Sequence, residues 1–298
     1  MPCFHPMEAW YAKTANPTGK HSLVFPRKGA EPPASADLSR PITVPCSKCI
    51  GCRLERSKKW AIRCEHERQL HEESCFITLT YAPEHLPAEG SLNKRDFQLF
   101  LKRLRKYLGE KQIRYYMCGE YGEKRGRPHY HAIVFGVNFH DRSVVGKKNG
   151  ITYYESATIS RIWGMGQTQI GDANFETAAY CARYITKKLT GERAKEYGKK
   201  IPEYNNPSRR PGLGKKWIEK YMGDVYPHDQ VTLKGKTLKP PKFYDSQYEI
   251  IEPKKMEEIK KRRKEFAEAN RPTKQRLKQM KEIMKSKFIK LKRGYENV

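Results

Sequence analysis

The stretch that most constrains the fold is Pro128-His129-Tyr130-His131-Ala132-Ile133-Val134-Phe135. β-Branched and aromatic residues dominate it and no helical period appears, so it reads as a β-strand. Side chains alternate across a strand, which puts His129 and His131 on one face and Tyr130 on the other. Two imidazoles on one face, at the head of an otherwise apolar strand, are candidate metal ligands; the plainer alternative is a polar sheet face.

The segments before this strand favour the metal reading. Ile113-Arg114-Tyr115-Tyr116-Met117-Cys118-Gly119-Glu120 is a second strand, and the glycine-containing connection from Tyr121 to Pro128 makes the two an antiparallel hairpin. With Glu120 opposite His129, a carboxylate and both imidazoles share one face; Glu123 is the alternative carboxylate. Two histidines and a carboxylate with open positions suit Mg²⁺, Mn²⁺ or another divalent ion that must also hold a substrate. Arg125 and Arg127 in the connection are candidate phosphate contacts. Farther upstream, Ser74 to Tyr81 reads as a strand ended by Ala82-Pro83. Asn93 caps a helix over Lys94 to Leu108, in which Phe97, Phe100, Leu101, Leu104 and Leu108 keep helical spacing. Cys75 and Cys118, inside strands, read as small buried hydrophobes.

Downstream, residues 138–157 form a polar insertion and Thr158 to Trp163 a short helix or strand, before Gly164 to Ile170 leads into a further strand. Asn174 then caps a helix that begins at Phe175 and stops at Gly191. Tyr180 and Tyr184 are i, i+4 neighbours on it, and Lys187 follows on the same face. Such a pair packs more often than it reacts, because a tyrosine hydroxyl titrates only at about pH 10. It attacks phosphorus where a metal polarises the phosphate and a cation steadies the developing charge.

Cys46-Ser47-Lys48-Cys49-Ile50-Gly51-Cys52 has the spacing of a thiolate metal knuckle and runs into a helix reaching about His71. As a structural Zn²⁺ site it needs a fourth ligand, for which Cys3, His5 and Cys64 are the candidates, Cys3 foremost. Eight cysteines in a cytoplasmic chain are otherwise thiols rather than disulfides. Lys plus Arg number 60 against 33 acidic residues, a net charge of +27 that calls for a polyanionic partner, nucleic acid before membrane. No apolar run approaches the roughly 20 residues of a membrane-spanning helix. The opening Met1-Pro2-Cys3-Phe4-His5 has no signal-peptide pattern, so the expected setting is cytoplasmic. Residues 1–45 read as an irregular surface arm. Beyond Gly191 come a short helix from Lys215 to Tyr221, a hairpin at Val231 to Leu238 and an extended strip, Lys239 to Tyr244. Aromatics alternate with cations there as on surfaces that stack unpaired bases. From Glu252 the chain is a charged helical tail broken near Asn270-Arg271-Pro272.

Three pieces stand in order: the strand Phe76-Ile77-Thr78-Leu79-Thr80, the pair His129-Tyr130-His131, and Tyr180-x-x-x-Tyr184-x-x-Lys187. Together they resemble the motif set of the HUH endonucleases that initiate rolling-circle replication. The paired tyrosines, Val44-Pro45-Cys46-x-x-Cys49-x-x-Cys52-Arg53 and Ser208-Arg209-Arg210-Pro211-Gly212 are similar to the replication-initiation proteins of microviruses, the gokushovirus type in particular. The resemblance implies an α+β fold, a central antiparallel sheet with flanking helices like a ferredoxin or RRM core. It also implies His129, His131 and Glu120 as ligands of Mg²⁺ or Mn²⁺, Tyr180 and Tyr184 as nucleophiles, and Lys187, or Lys188 if the helix is rotated, as their cation.

The expected layout is an arm with the cysteine segment and helix (1–72), the nuclease core (73–192), a basic aromatic DNA-contacting extension (193–250) and the charged tail (251–298). The expected activity is nicking of a single-stranded or unwound viral origin through a phosphotyrosine, with rejoining of the displaced strand. Host helicase and polymerase are the implied partners and the bacterial host's cytoplasm the implied setting. The rival readings are an HUH relaxase or transposase, and a non-enzymatic basic protein that coats or packages single-stranded DNA.

Overall fold

The computed structural model describes residues 3–27, 29–122, 126–148, 151–183, 189 and 191–289. Among these, 3–55 and 272–289 gather into one compact unit and 56–271 into another.

In the first unit β1 (Met7–Ala15), β2 (His21–Val24) and β3 (Ala36–Val44) form an antiparallel sheet in the order β2-β1-β3. This corrects the expectation of an irregular arm. The strands were hidden because β1 and β3 bury only Ala9 and Ala36, so no period of two marks them. Pro41 lies in β3, an edge strand, where a missing N–H is tolerated. Helix α1 (Ile50–Arg68) begins in this unit and continues into the second.

The second unit is built on a seven-stranded sheet. Its strands β4 (Ser74–Thr80), β5 (Arg114–Tyr121), β6 (Pro128–Phe135), β7 (Ser143–Lys148), β8 (Ile151–Glu155), β9 (Thr168–Asp172) and β10 (Tyr204–Pro207) stand in the order β10-β5-β6-β4-β9-β8-β7. Neighbouring strands are antiparallel throughout. The fold is thus α+β with a large antiparallel sheet, as the motifs implied. The region expected as a polar insertion supplies the β7–β8 hairpin.

β6 lies inside the sheet with every residue buried, so both of its faces must be covered. On one face Tyr130, Ala132 and Val134 pack with Ile77 and Leu79 of β4, under α2 (Lys94–Leu108) and α3 (Ala157–Trp163). Asn93 caps α2 by accepting from the Arg95 amide at 3.0 Å. Phe97, Phe100, Leu101 and Leu104 then face the sheet; burying each contributes about 1.5–3 kcal/mol. On the other face Ile133, Phe135, Phe76, Tyr116 and Cys118 pack with Ala61 and Cys64 of α1 and with α4 (Phe175–Arg183). Cys75 and Cys118 are fully buried, as read.

A third cluster follows from α5 (Lys215–Lys220), α6 (Met222–Val225), the hairpin β11 (Val231–Leu233) and β12 (Lys236–Leu238), α7 (Lys242–Ile251) and α8 (Pro253–Ala269). The strip expected to be extended from Lys239 to Tyr244 is corrected here: Pro241 is the N-cap of α7. Tyr244 and Tyr248, four apart, turn into the core instead of offering their rings to bases. The charged tail is helical, broken where expected, and ends in α9 (Lys274–Ile289) of the first unit.

Candidate active site

Pairing of β4, β6 and β5 lays two rows of side chains across the sheet. Thr80, His129 and Glu120 are in register in one row; Thr78, His131 and Cys118 are in register in the next. Because alternate residues share a face, Thr78, Thr80, His129, His131 and Glu120 all point toward the α4 layer. Glu120 Oε1 stands 2.7 Å from His129 Nε2 and 3.0 Å from His131 Nε2. The two rings are perpendicular with centroids 4.9 Å apart. All three residues are buried.

The outer nitrogens settle what the inner ones present. His129 Nδ1 lies 3.0 Å from the Arg127 carbonyl, an acceptor only, so Nδ1 carries the proton. In the neutral ring Nε2 then aims a lone pair at a carboxylate oxygen. Two acceptors at that separation are reconciled only by a shared cation, a proton or a metal ion. His131 Nδ1 meets the Thr78 hydroxyl at 2.8 Å. Burial pushes the Glu120 pKa up, yet where the imidazoles take the shared proton their hydrogen bonds and charges prevail and draw it down to about 2. The carboxylate is therefore ionised at neutral pH. Two imidazole nitrogens and one carboxylate oxygen within 4.8 Å of one another fit a divalent cation with positions left for substrate.

Helix α4 brings a tyrosine to this face. Asn174 Oδ1 accepts from the Thr177 amide at 2.9 Å while Thr177 Oγ1 accepts from the Asn174 amide at 2.9 Å, a reciprocal cap that fixes where the helix starts. Two turns on, the Tyr180 ring stands edge-on to His131, centroids 5.3 Å apart, and to Phe76 at 6.2 Å. The Arg183 guanidinium lies 5.9 Å from the same ring. The structure thus brings Glu120, His129, His131 and Tyr180 together. Tyr184, Lys187 and Lys188 lie outside the described residues, as do Glu123 and Arg125.

Two residues that the sequence did not single out hold α4 by its backbone. Ser57 of α1 donates to the Ala179 carbonyl at 3.3 Å, and Asn205 of β10 donates to the Cys181 carbonyl at 3.0 Å. These carbonyls flank Tyr180. Their partners are 122 and 24 residues away in the chain, so no local pattern announces them. Thr78 did leave a trace, since the alternation Thr78-Leu79-Thr80 places hydroxyls on one face of a strand that is otherwise apolar.

Separately, Cys3, Cys46, Cys49 and Cys52 converge in the first unit, their sulfurs within 4.8 Å of one another. Of the other two candidates for the fourth ligand, Cys64 is buried in the core beneath the sheet, and His5 is exposed with its Nε2 3.1 Å from Lys281 Nζ.

Residues 74–189, the segment carrying Thr78, Glu120, His129, His131 and Tyr180, match the family model of replication-associated protein ORF2/G2P. Replication-associated protein VP4 of Bdellovibrio phage phiMH2K is 33% identical over 285 residues, covering 90% of this chain and 85% of that protein. Replication-associated protein ORF2 of Spiroplasma virus 4 is 37% identical over 220 residues, 70% of this chain and 68% of that protein. Replication-associated protein ORF4 of Chlamydia phage 1 is 29% identical over 209 residues, 67% of this chain and 52% of that protein. No solved structure matches the chain. With one relative aligned over nine-tenths of its length, the chain belongs to the family of phage replication-associated proteins, in keeping with the microvirus-type resemblance of its motifs.

Proposed function

We propose that this chain initiates rolling-circle replication of a phage genome by nicking a single-stranded or unwound DNA origin through a phosphotyrosine. The observation that supports this most is the Tyr180 ring set edge-on to His131, beside a carboxylate and two imidazoles whose ligand atoms lie within 4.8 Å of one another. A binding protein has no use for that juxtaposition; a phosphoryl-transfer enzyme needs it.

Glu120, His129 and His131 hold Mg²⁺ or Mn²⁺, which when bound supplies Lewis-acid polarisation of the scissile phosphate. A phenol oxygen attacks phosphorus in line, the tyrosine O–P bond forms and the bond to the 3′ oxygen breaks. The phenolic proton leaves and the 3′ oxygen ends as a free hydroxyl that a host polymerase can extend. Phosphodiester energy stays in the 5′-phosphotyrosine, so rejoining requires no nucleotide cofactor. With Tyr184 as second nucleophile, a regenerated origin is cut after one circuit, and the freed 3′-OH attacks the first link to close a circle. Lys187 steadies charge on the phenol oxygen. A host helicase supplies the unwound strand.

Incubation with origin-bearing single-stranded DNA and Mn²⁺ tests the reading. A covalent, protease-sensitive adduct is expected, mapping by mass spectrometry to the peptide of Tyr180 or Tyr184. Tyr180→Phe or Tyr184→Phe lowers capture, because each removes a hydroxyl that can form the phosphotyrosine. Undiminished capture in both variants removes the tyrosine assignment. Gel retardation without any adduct favours the non-enzymatic binding protein.

A further inference from the structure

The cysteine cluster plays no part in nicking, yet its geometry is that of a site. Cys46, Cys49 and Cys52 sit at and just before the start of α1, and Cys3 joins them because Met7 at the start of β1 pairs with Val44 at the end of β3, which brings the two flanking segments to one end of the sheet. Four thiolates bound to one Zn²⁺ at about 2.3 Å stand about 3.8 Å apart. The Cys3 and Cys49 sulfurs are 3.9 Å apart, and the whole set falls within 4.8 Å. A disulfide needs about 2.05 Å. An iron–sulfur cluster spreads its cysteines around a body larger than one ion.

Backbone amides already serve the sulfurs as they would serve thiolates. Cys46 N–H points to Cys3 Sγ at 3.2 Å, Cys49 N–H to Cys46 Sγ at 3.3 Å and Phe4 N–H to Cys49 Sγ at 3.4 Å. Between Cys46 and Cys49, Ser47 adopts φ 59°, a left-handed conformation that is costly for a residue with a Cβ. The strained turn folds the two thiols toward one point.

The packing of the first unit supplies a second argument. Among its described residues the buried apolar side chains are Phe4, Ala9, Ala36 and Leu54, while Leu23, Phe25 and Leu38 stay exposed and α9 buries none. So small a core does not offset the entropy of ordering about seventy residues, and domains of this kind draw their stability from a metal or a disulfide. We propose that Cys3, Cys46, Cys49 and Cys52 bind one structural Zn²⁺ as a tetrathiolate and thereby staple the first unit.

The full chain, purified without added metal, is assayed for metals by mass spectrometry. About one zinc per chain is expected. Cys3→Ser and Cys49→Ser lose it, and Cys64→Ala keeps it. If the serine variants are insoluble, p-hydroxymercuribenzoate titration of the wild type decides instead, the zinc being released as the thiols are mercurated. Replacing Zn²⁺ with Co²⁺ gives the thiolate charge-transfer and d–d bands of a tetrahedral tetrathiolate, and chelation exposes residues 3–55 to limited proteolysis while 56–271 persists. Wild-type protein with less than a tenth of an equivalent of zinc, iron in its place, or zinc undiminished in both serine variants overturns the proposal.

Discussion

A hydroxyl on Thr78 and a carbonyl on Arg127 hold the two imidazoles of the candidate metal site by their outer nitrogens. Such partners fix ring orientation and tautomer, and removing one costs about 10- to 100-fold in metal affinity. Thr78→Val, nearly isosteric, is therefore expected to weaken Mn²⁺ binding by that factor in calorimetric titration, and Thr78→Ser to restore most of it. Equal affinity in the valine variant would show that His131 needs no support from β4. His66 poses the opposite electrostatic case. Its ring is stacked on Trp217 at 3.5 Å and its Nδ1 meets the Tyr244 hydroxyl at 2.9 Å, and burial drives its pKa down to about 3. Between pH 6.5 and 3 the unfolded chain takes up a proton there that the folded chain refuses. Stability is thus intact above pH 6.5 and falls as the pH drops, by at most about 1.4 kcal/mol per pH unit. His66→Asn keeps an acceptor for Tyr244 but cannot titrate. Its urea midpoint should fall less than that of the wild type between pH 6.5 and 5.

At the scale of elements, the tyrosine helix is fixed by its own reciprocal cap and by two other elements, through Ser57 of α1 and Asn205 of β10. Asn205→Leu removes the donor to the Cys181 carbonyl and leaves the cation ligands untouched. Covalent capture by the variant is expected to slow while its Mn²⁺ affinity stays at the wild-type value. Global stability should drop by about 2 kcal/mol, the net worth of the two hydrogen bonds that the Asn205 amide donates, to the Cys181 carbonyl and to the Tyr116 hydroxyl. A parallel loss of metal affinity would instead mean that the whole sheet face had shifted. The sequence made other elements plain: α2 through its cap and five spaced apolar residues, and β4 and β6 through composition; the β5–β6 register it left open, and the fold sets Glu120 against His129. What it concealed has physical causes. β1 and β3 bury too little to show alternation, α7 begins behind two prolines, and the grip of Ser57 and Asn205 on α4 spans chain distances over which spacing carries no information. Among Cys3, His5 and Cys64, only the folded chain shows which thiol or imidazole reaches the knuckle.

For the molecule as a whole the dominant quantity is its net charge of +27. Some cations are consumed internally: the Arg263 guanidinium of α8 bridges Asp229 and Asp245, and Arg114 pairs with Glu67 at 2.6 Å. Even with every acid paired, 27 cations would be left over, since 60 basic residues face 33 acidic ones. A chain so charged attracts single strands by releasing their counterions, a term blind to base sequence. With about five phosphates neutralised, log K falls against log salt with a slope of about −3.5, so raising salt from about 50 to 200 mM weakens binding roughly 100-fold. Tyr180, His129, His131 and Glu120 are buried, so in the proposed reaction screening should not reach a step that they carry out. At saturating DNA the rate of adduct formation is accordingly expected to stay flat over the same salt range while the apparent Kd climbs. Binding that ignored salt would place the positive charge away from the DNA path, and a rate that fell in step with affinity would place an exposed cation among the groups that carry out the nick.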